Sequence, residues 1–174
     1  MNSLSTNWVW WEQRIPKSLD DYSESMVQMC EFDSVEGFWQ LFNNVPAPSK
    51  IFQTSTEKRR FVDREVNGYS VFLNGVRPEW EDIRNTHGGE LSFRKSISLK
   101  LVDTLWLELL LFMCSNKFCE ITGCRIVDKS SSSKLSYKVE LWFDTRDSNK
   151  IQEMKQSLVS HHDMFRFLEH KNHS

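Results

Sequence analysis

The chain has 174 residues and a mass of 20.6 kDa, enough for one domain at about 150 residues each. With 22 basic and 24 acidic residues its net charge is −2, which excludes a general nucleic-acid coating protein with a broad basic surface. Hydrophobic content of 39% excludes a disordered chain, and the longest apolar run, 105–114, is broken by Glu108 and too short to cross a bilayer.

Elements follow in chain order. Residues 8–14 are aromatic-rich and predict a first strand, closed by Pro16. Residues 17–24 are polar and predict a loop that carries Tyr22. Residues 25–32 alternate and predict a second strand. Asp33, with Glu36 three residues on, predicts a helix cap. Val35, Phe38, Trp39, Phe42 and Val45 follow at helical spacing, and Pro46 and Pro48 end that helix.

Residues 49–67 are polar and charged and read as an inserted surface loop, with a short helix around 56–66. Residues 68–73 predict a strand and Asn74-Gly75 a turn, followed by an irregular loop with Trp80-Glu81-Asp82. Gly88-Gly89 marks a second turn before a strand at 91–94. Ser98 starts a long helix to about Ser115. Its core stripe is Val102, Leu105, Trp106, Leu109, Leu110 and Met113; Leu107 and Leu111 lie off it, beside Glu108. Residues 121–129 and 134–143 predict two strands linked by serines, 147–159 a last helix, and 164–169 a final strand.

Most strand links are too short for crossovers. The fold class is therefore α+β, an antiparallel sheet with three helices on one face and the other face open to solvent or a ligand. The chain reads as one domain over 1–174, ending in a tail at 171–174.

Motifs of chemistry are few. There is no GxSxG, no P-loop and no HExxH, so no catalytic residue is assigned. Cys30, Cys114, Cys119 and Cys124 form no CxxC pair and are expected to be reduced, mostly buried thiols in a cytoplasmic protein. The N-terminus has no signal-peptide pattern. Four of the five histidines lie at or beyond 161 and read as a solvated tail; neither metal nor cofactor is expected. Trp8, Trp10, Trp11 and Trp106 fall on regular elements and read as core. Tyr22 and Trp80 fall in polar loops, where a ring either tucks under the loop or stacks on a ligand.

Several segments together resemble the eukaryotic translation initiation factor 4E family, the messenger-RNA cap-binding proteins. They are Trp8 to Trp11, FDSVEGFWQLF from Phe32, YSVFLNGVRPEWED from Tyr69, Gly88-Gly89, WLELLL from Trp106, Gly123 to Lys129 and Lys138 to Trp142. The resemblance implies a curved antiparallel sheet of about eight strands with three helices on its convex back. It also implies a cap pocket on the concave side. There 7-methylguanine lies between two rings, Trp80 and Tyr22, the latter where the family usually has Trp. Glu81 would accept from the base edge, and Trp142 would touch the methyl group. Lys129 and Lys138 match the family's phosphate cations best. Lys134 sits in a longer link, and Arg125 is expected to reach another face. A solvated strand edge is the alternative reading of those four cations.

On the back, Val35, Trp39, Leu107, Glu108 and Leu111 match the surface that docks a helix of a 4G-like scaffold or a 4E-binding repressor. Packing under the chain's own tail or insert is the alternative there. Two departures stand out: the insert at 49–67, and Glu90 where a basic residue is common. The resemblance thus implies binding of capped mRNA, without catalysis or membrane attachment. The second reading is a member with weak cap affinity that works mainly as a protein-interaction module or translational repressor.

Overall fold

The computed structural model describes residues 2–18, 25–52, 61, 63–158 and 162–171. Among them the strands are β1 (Ser3–Arg14), β2 (Met26–Ser34), β3 (Val66–Leu73), β4 (Gly89–Lys95), β5 (Ile121–Asp128), β6 (Tyr137–Phe143) and β7 (Arg166–Glu169). The helices are α1 (Val35–Asn44), α2 (Pro48–Ile51), α3 (Ile83–Thr86), α4 (Leu99–Cys114) and α5 (Ser148–Ser157). The strands form one curved antiparallel sheet in the order β2-β1-β3-β5-β6-β4-β7. Seven strands stand where about eight were expected.

Alternation along each strand divides the sheet's faces. Trp8 and Trp10 of β1, Tyr69 and Val71 of β3, Leu91 and Phe93 of β4, Cys124 and Ile126 of β5, and Val139 and Leu141 of β6 join the helices in one buried cluster. Trp10 anchors it, edge-on to Tyr69 at 5.4 Å and to Trp106 of α4 at 5.5 Å between centroids. Such contacts add about 0.5–1.5 kcal/mol each beyond burial. All six stripe residues of α4 are buried, as its helical period requires. Trp11 lies outside that cluster, buried beneath the Arg77 guanidinium 5.9 Å over its ring.

Several boundaries differ from the sequence reading. β1 begins at Ser3, because Ser3 pairs with Ser34 across an irregularity that the aromatic run does not reveal. That pairing keeps Asp33 in β2, so the cap of α1 is Ser34, whose hydroxyl accepts from the Gly37 amide at 3.2 Å. Glu36 instead accepts from the Asn2 amide at 3.0 Å. Pro48 opens α2 at its first turn, where a missing N–H costs nothing.

The start of the 49–67 segment is not surface. Ile51 and Phe52 are buried, Phe52 stacks on Tyr137 at 5.8 Å, and Ser49 donates to the Asp103 carboxylate of α4 at 2.6 Å. The helix expected around 56–66 falls largely outside the described residues; 63–65 are not helical and Val66 opens β3. β6 begins at Tyr137 rather than 134. Of the cysteines, Cys124 is buried, Cys30 and Cys114 half-buried, and Cys119 exposed, contrary to general burial. No helix among the described residues is long and apolar enough to cross a membrane.

Candidate functional site

The face away from the helices carries a cleft of about 390 Å³. Trp80, Glu90, Arg125, Lys138, Glu140, Trp142, Leu168 and His170 are among the residues that line it. Strand register sets its floor: Glu90 lies opposite Trp142, Ser92 opposite Glu140, and Arg94 opposite Lys138. On the other side of β6, Gly123, Arg125 and Val127 of β5 face Trp142, Glu140 and Lys138.

Trp80 sits on the loop between β3 and α3. The loop opens with a turn in which Gly75 has φ of +86°, a conformation that Gly adopts without strain. Asp82 holds the loop's end, accepting from the Arg77 amide and from the Arg84 amide, each at 2.9 Å. Asn85 is fully buried and pins the loop: its amide group donates to the Arg77 and Glu79 carbonyls and accepts from Thr122 of β5 at 2.8 Å. Trp80 is half-buried, packed beside Phe72, Val76 and Trp142 while also lining the cleft. The ring is thus partly tucked into the fold and partly open to the cleft.

Trp142 forms the floor, edge-on to Phe72 at 5.3 Å and to the His170 ring at 4.5 Å. His170 is therefore not part of a solvated tail. It follows β7 on the side of Leu168, is buried, and places Nδ1 3.0 Å from the Asn85 carbonyl and Nε2 3.3 Å from the Glu90 carboxylate. Its polar neighbours in sequence hid it; the alternation Arg166, Leu168, His170 is the signal that could have found it. Asn85 left no such signal, because its role depends on where the loop lands.

Two carboxylates lie under the cleft. Glu90 accepts from Ser92 at 2.8 Å and from Lys138 at 2.8 Å. Burial works to raise its carboxyl, but the His170 bond and the Lys138 charge outweigh it and bring the pKa from 4.5 down to about 2. Glu140 also bonds Lys138 and lies 3.6 Å from the Arg125 guanidinium. There burial wins, and the carboxyl is raised despite Arg125. The Lys138 ammonium is raised: burial opposes the charge, but Glu140 and then Glu90 more than offset it.

The other expected residues divide. Arg125, expected on another face, lines the same cleft and donates to Gln13 of β1. Glu81 is exposed, next in sequence to Trp80 but outside the cleft lining. Lys129 and Lys134 are exposed beyond the cleft, at and after the end of β5. Tyr22 lies outside the described residues. No group of three or more His, Cys, Asp or Glu among the described residues is arranged for a metal ion.

On the helix face, Val35 is 39% exposed, Trp39 38% and Leu111 43%. Trp39 is fixed edge-on against Phe38 at 4.9 Å and Phe42 at 5.7 Å. Leu107 and Glu108 are half-buried on the same helix as Leu111.

An open antiparallel sheet backed by helices, with a tryptophan-lined and charged cleft on its free face, places the chain among α+β proteins with a candidate ligand cleft. The family model of eukaryotic initiation factor 4E matches residues 3–174, and the chain belongs to that family. It is similar to eukaryotic translation initiation factor 4E of Aplysia californica, 31% identical over 87% of this chain and 65% of that protein. It is also similar to translation initiation factor 4E1 of Drosophila melanogaster, 33% identical over 84% of this chain and 51% of that protein. The chain thus spans less than two thirds of the length of both relatives. Among solved structures, eIF4E-3 of C. elegans, in complex with the 4E-binding protein Mextli, aligns with a TM-score of 0.75 and 26% identity over 98% of this chain and 94% of that one. Ascaris suum eIF4E-3, in complex with an m2,2,7G cap, aligns with a TM-score of 0.74 and 25% identity over 99% and 93%.

Proposed function

We propose that this chain binds the 7-methylguanosine cap of messenger RNA in its concave cleft and docks a helical protein partner on its convex face. The observation that carries the reading is the half-buried Trp80 ring, held by the Asn85-pinned loop at the mouth of a cleft floored by Trp142. A cationic methylated base gains about 0.5–2 kcal/mol against an aromatic face, and stacking adds roughly 1–3 kcal/mol. Tyr22 supplies the second ring. Glu81, exposed beside Trp80 in the same loop, accepts from the base N1–H and N2–H₂, charge-assisted bonds of about 1.5–3 kcal/mol. Trp142 contacts the methyl group.

The partner is a 4G-like scaffold or a 4E-binding repressor, received by Val35, Trp39, Leu107, Glu108 and Leu111. The exposure of Trp39 and Leu111 on helices whose other sides are core supports it. The Ascaris protein bound to a cap and the C. elegans protein bound to Mextli support the two halves of the proposal. No catalytic step is assigned, and the role places the protein in the cytoplasm.

The second reading, a docking module with weak cap affinity, has its own observation. Glu90 and Glu140 pair with Lys138, a cation the family would use for phosphate. A tryptophan-fluorescence titration with 7-methyl-GTP beside GTP separates the two. Quenching by the methylated nucleotide alone supports the cap pocket; equal or absent quenching refutes it and leaves the docking module.

A further inference from the structure

The cations of the concave face lie at three places: Lys138 and Arg125 inside the cleft, the exposed Lys171 on its lining after β7, and Lys129 with Arg94 beyond it. Lys138 bonds Glu140 on its own strand and Glu90 on the neighbouring β4, and Arg125 is shared between Glu140 and Gln13. These inner cations are committed to carboxylates that are themselves buried. A phosphate set on Lys138 meets two carboxylates in a poorly solvated cleft, where like-charge repulsion is least screened.

Further out the balance reverses. Lys129 leaves β5 with its amide bonded to the Ser136 carbonyl at 2.8 Å. Arg94, opposite Lys138 on the same face, donates from Nε to the Ser136 hydroxyl at 3.0 Å and from Nη2 to the Lys129 carbonyl at 3.1 Å. Ser136 thus holds both residues at one end of the sheet. Neither cation has a carboxylate within ion-pair distance among the described residues. The Lys129 ammonium is pushed below its ordinary value, first by desolvation and then by Arg125, with Lys138 and Arg94 adding to the effect against Glu140. Positive charge is in excess there. The Arg94 guanidinium, oriented by two bonds on one side, keeps Nη1 for an oxyanion.

We propose that the phosphates of the bound nucleotide are held at an outer subsite made by Lys129 and Arg94, and that the Glu90–Lys138–Glu140 chain keeps them off the cleft floor. The inference rests on the cap reading above and adds Arg94 as a residue that binds a nucleotide polyphosphate. It sets the cleft, whose Lys138 and Arg125 are already paired with carboxylates, apart from a site beyond it whose two cations suit an anionic tail.

The test titrates the wild-type chain, Arg94→Ala, Lys129→Ala and the double variant with 7-methylguanosine, 7-methyl-GTP and inorganic triphosphate, at two salt concentrations. Both side chains are exposed, so the variants are expected to fold. The double variant should lose at least tenfold in affinity for 7-methyl-GTP and most of its salt dependence, with affinity for 7-methylguanosine unchanged. Wild-type affinity of the double variant for 7-methyl-GTP overturns the outer subsite and leaves the cap reading standing. Inorganic triphosphate that binds the wild type and not the double variant, with no binding of 7-methylguanosine, upholds the subsite and overturns the cap reading. If none of the three probes binds the wild type, both fall.

Discussion

Glu90→Gln removes one charge from the buried chain under the cleft and keeps the side-chain shape. In the folded protein the Glu90 carboxyl sits at about 2 against an ordinary 4.5, because the His170 bond and the Lys138 charge outweigh the burial that would raise it. A carboxyl held below its unfolded value contributes stability that is present above about pH 4.5 and is lost as pH falls toward 2. At about 1.4 kcal/mol per pH unit, the contribution at neutral pH is about 3 kcal/mol. Glu140 has the opposite sign: its raised carboxyl favours the fold at low pH and offsets part of the acid loss. Glu90 itself adds to that rise, so the variant loses part of the offset, which narrows the difference at neutral pH without reversing it. Glu90→Gln is therefore expected to melt about 6–12 °C below wild type at pH 7, with the gap narrowing to roughly half by pH 3. Thermal melts followed by tryptophan fluorescence at pH 7, 5 and 3 read it directly. A gap that stays constant with pH, or none at pH 7, refutes the electrostatic account of this residue.

Other substitutions probe the remaining parts. Glu81→Ala is expected to lower affinity for 7-methyl-GTP by about 10- to 100-fold with an unchanged melting temperature, since the side chain is exposed; unchanged affinity would remove Glu81 from the pocket. Trp39→Ala should weaken capture of a 4E-binding peptide by about 2 kcal/mol or more while sparing 7-methyl-GTP; losing both would assign Trp39 to folding. Gly88→Ala would set a Cβ 1.7 Å from the Phe143 carbonyl oxygen, so it should cost on the order of 4 kcal/mol or prevent folding, and a near-wild-type urea midpoint would contradict the close approach of β4 and β6.

Local pattern was enough for much of this protein. The period of α4 names its buried stripe, and the residues off it, Leu107 and Leu111, are those left half-buried and exposed. Alternation in β5 and β6 assigns their faces, and Asn74-Gly75 places the turn before the Trp80 loop. These follow from periods of 3.6 and 2, which need only neighbouring residues.

What failed to show in the sequence depends on partners far along the chain. Ser34 caps α1 because Ser3 pairs with it, and Phe52 is core because Tyr137 comes to lie against it. His170 looked like tail until β7 set it between Asn85, Glu90 and Trp142. Glu90 reads on its own as a misplaced acid, yet the sheet surrounds it with Lys138, Ser92 and His170. The sequence by itself therefore determined the longer helices, most of the strands, their inward faces and the family, while the short α2 and α3 lay hidden in segments read as loop. The tertiary structure alone decided which charges are cancelled in the cleft, because ion pairing depends on distances across strands that no local pattern encodes.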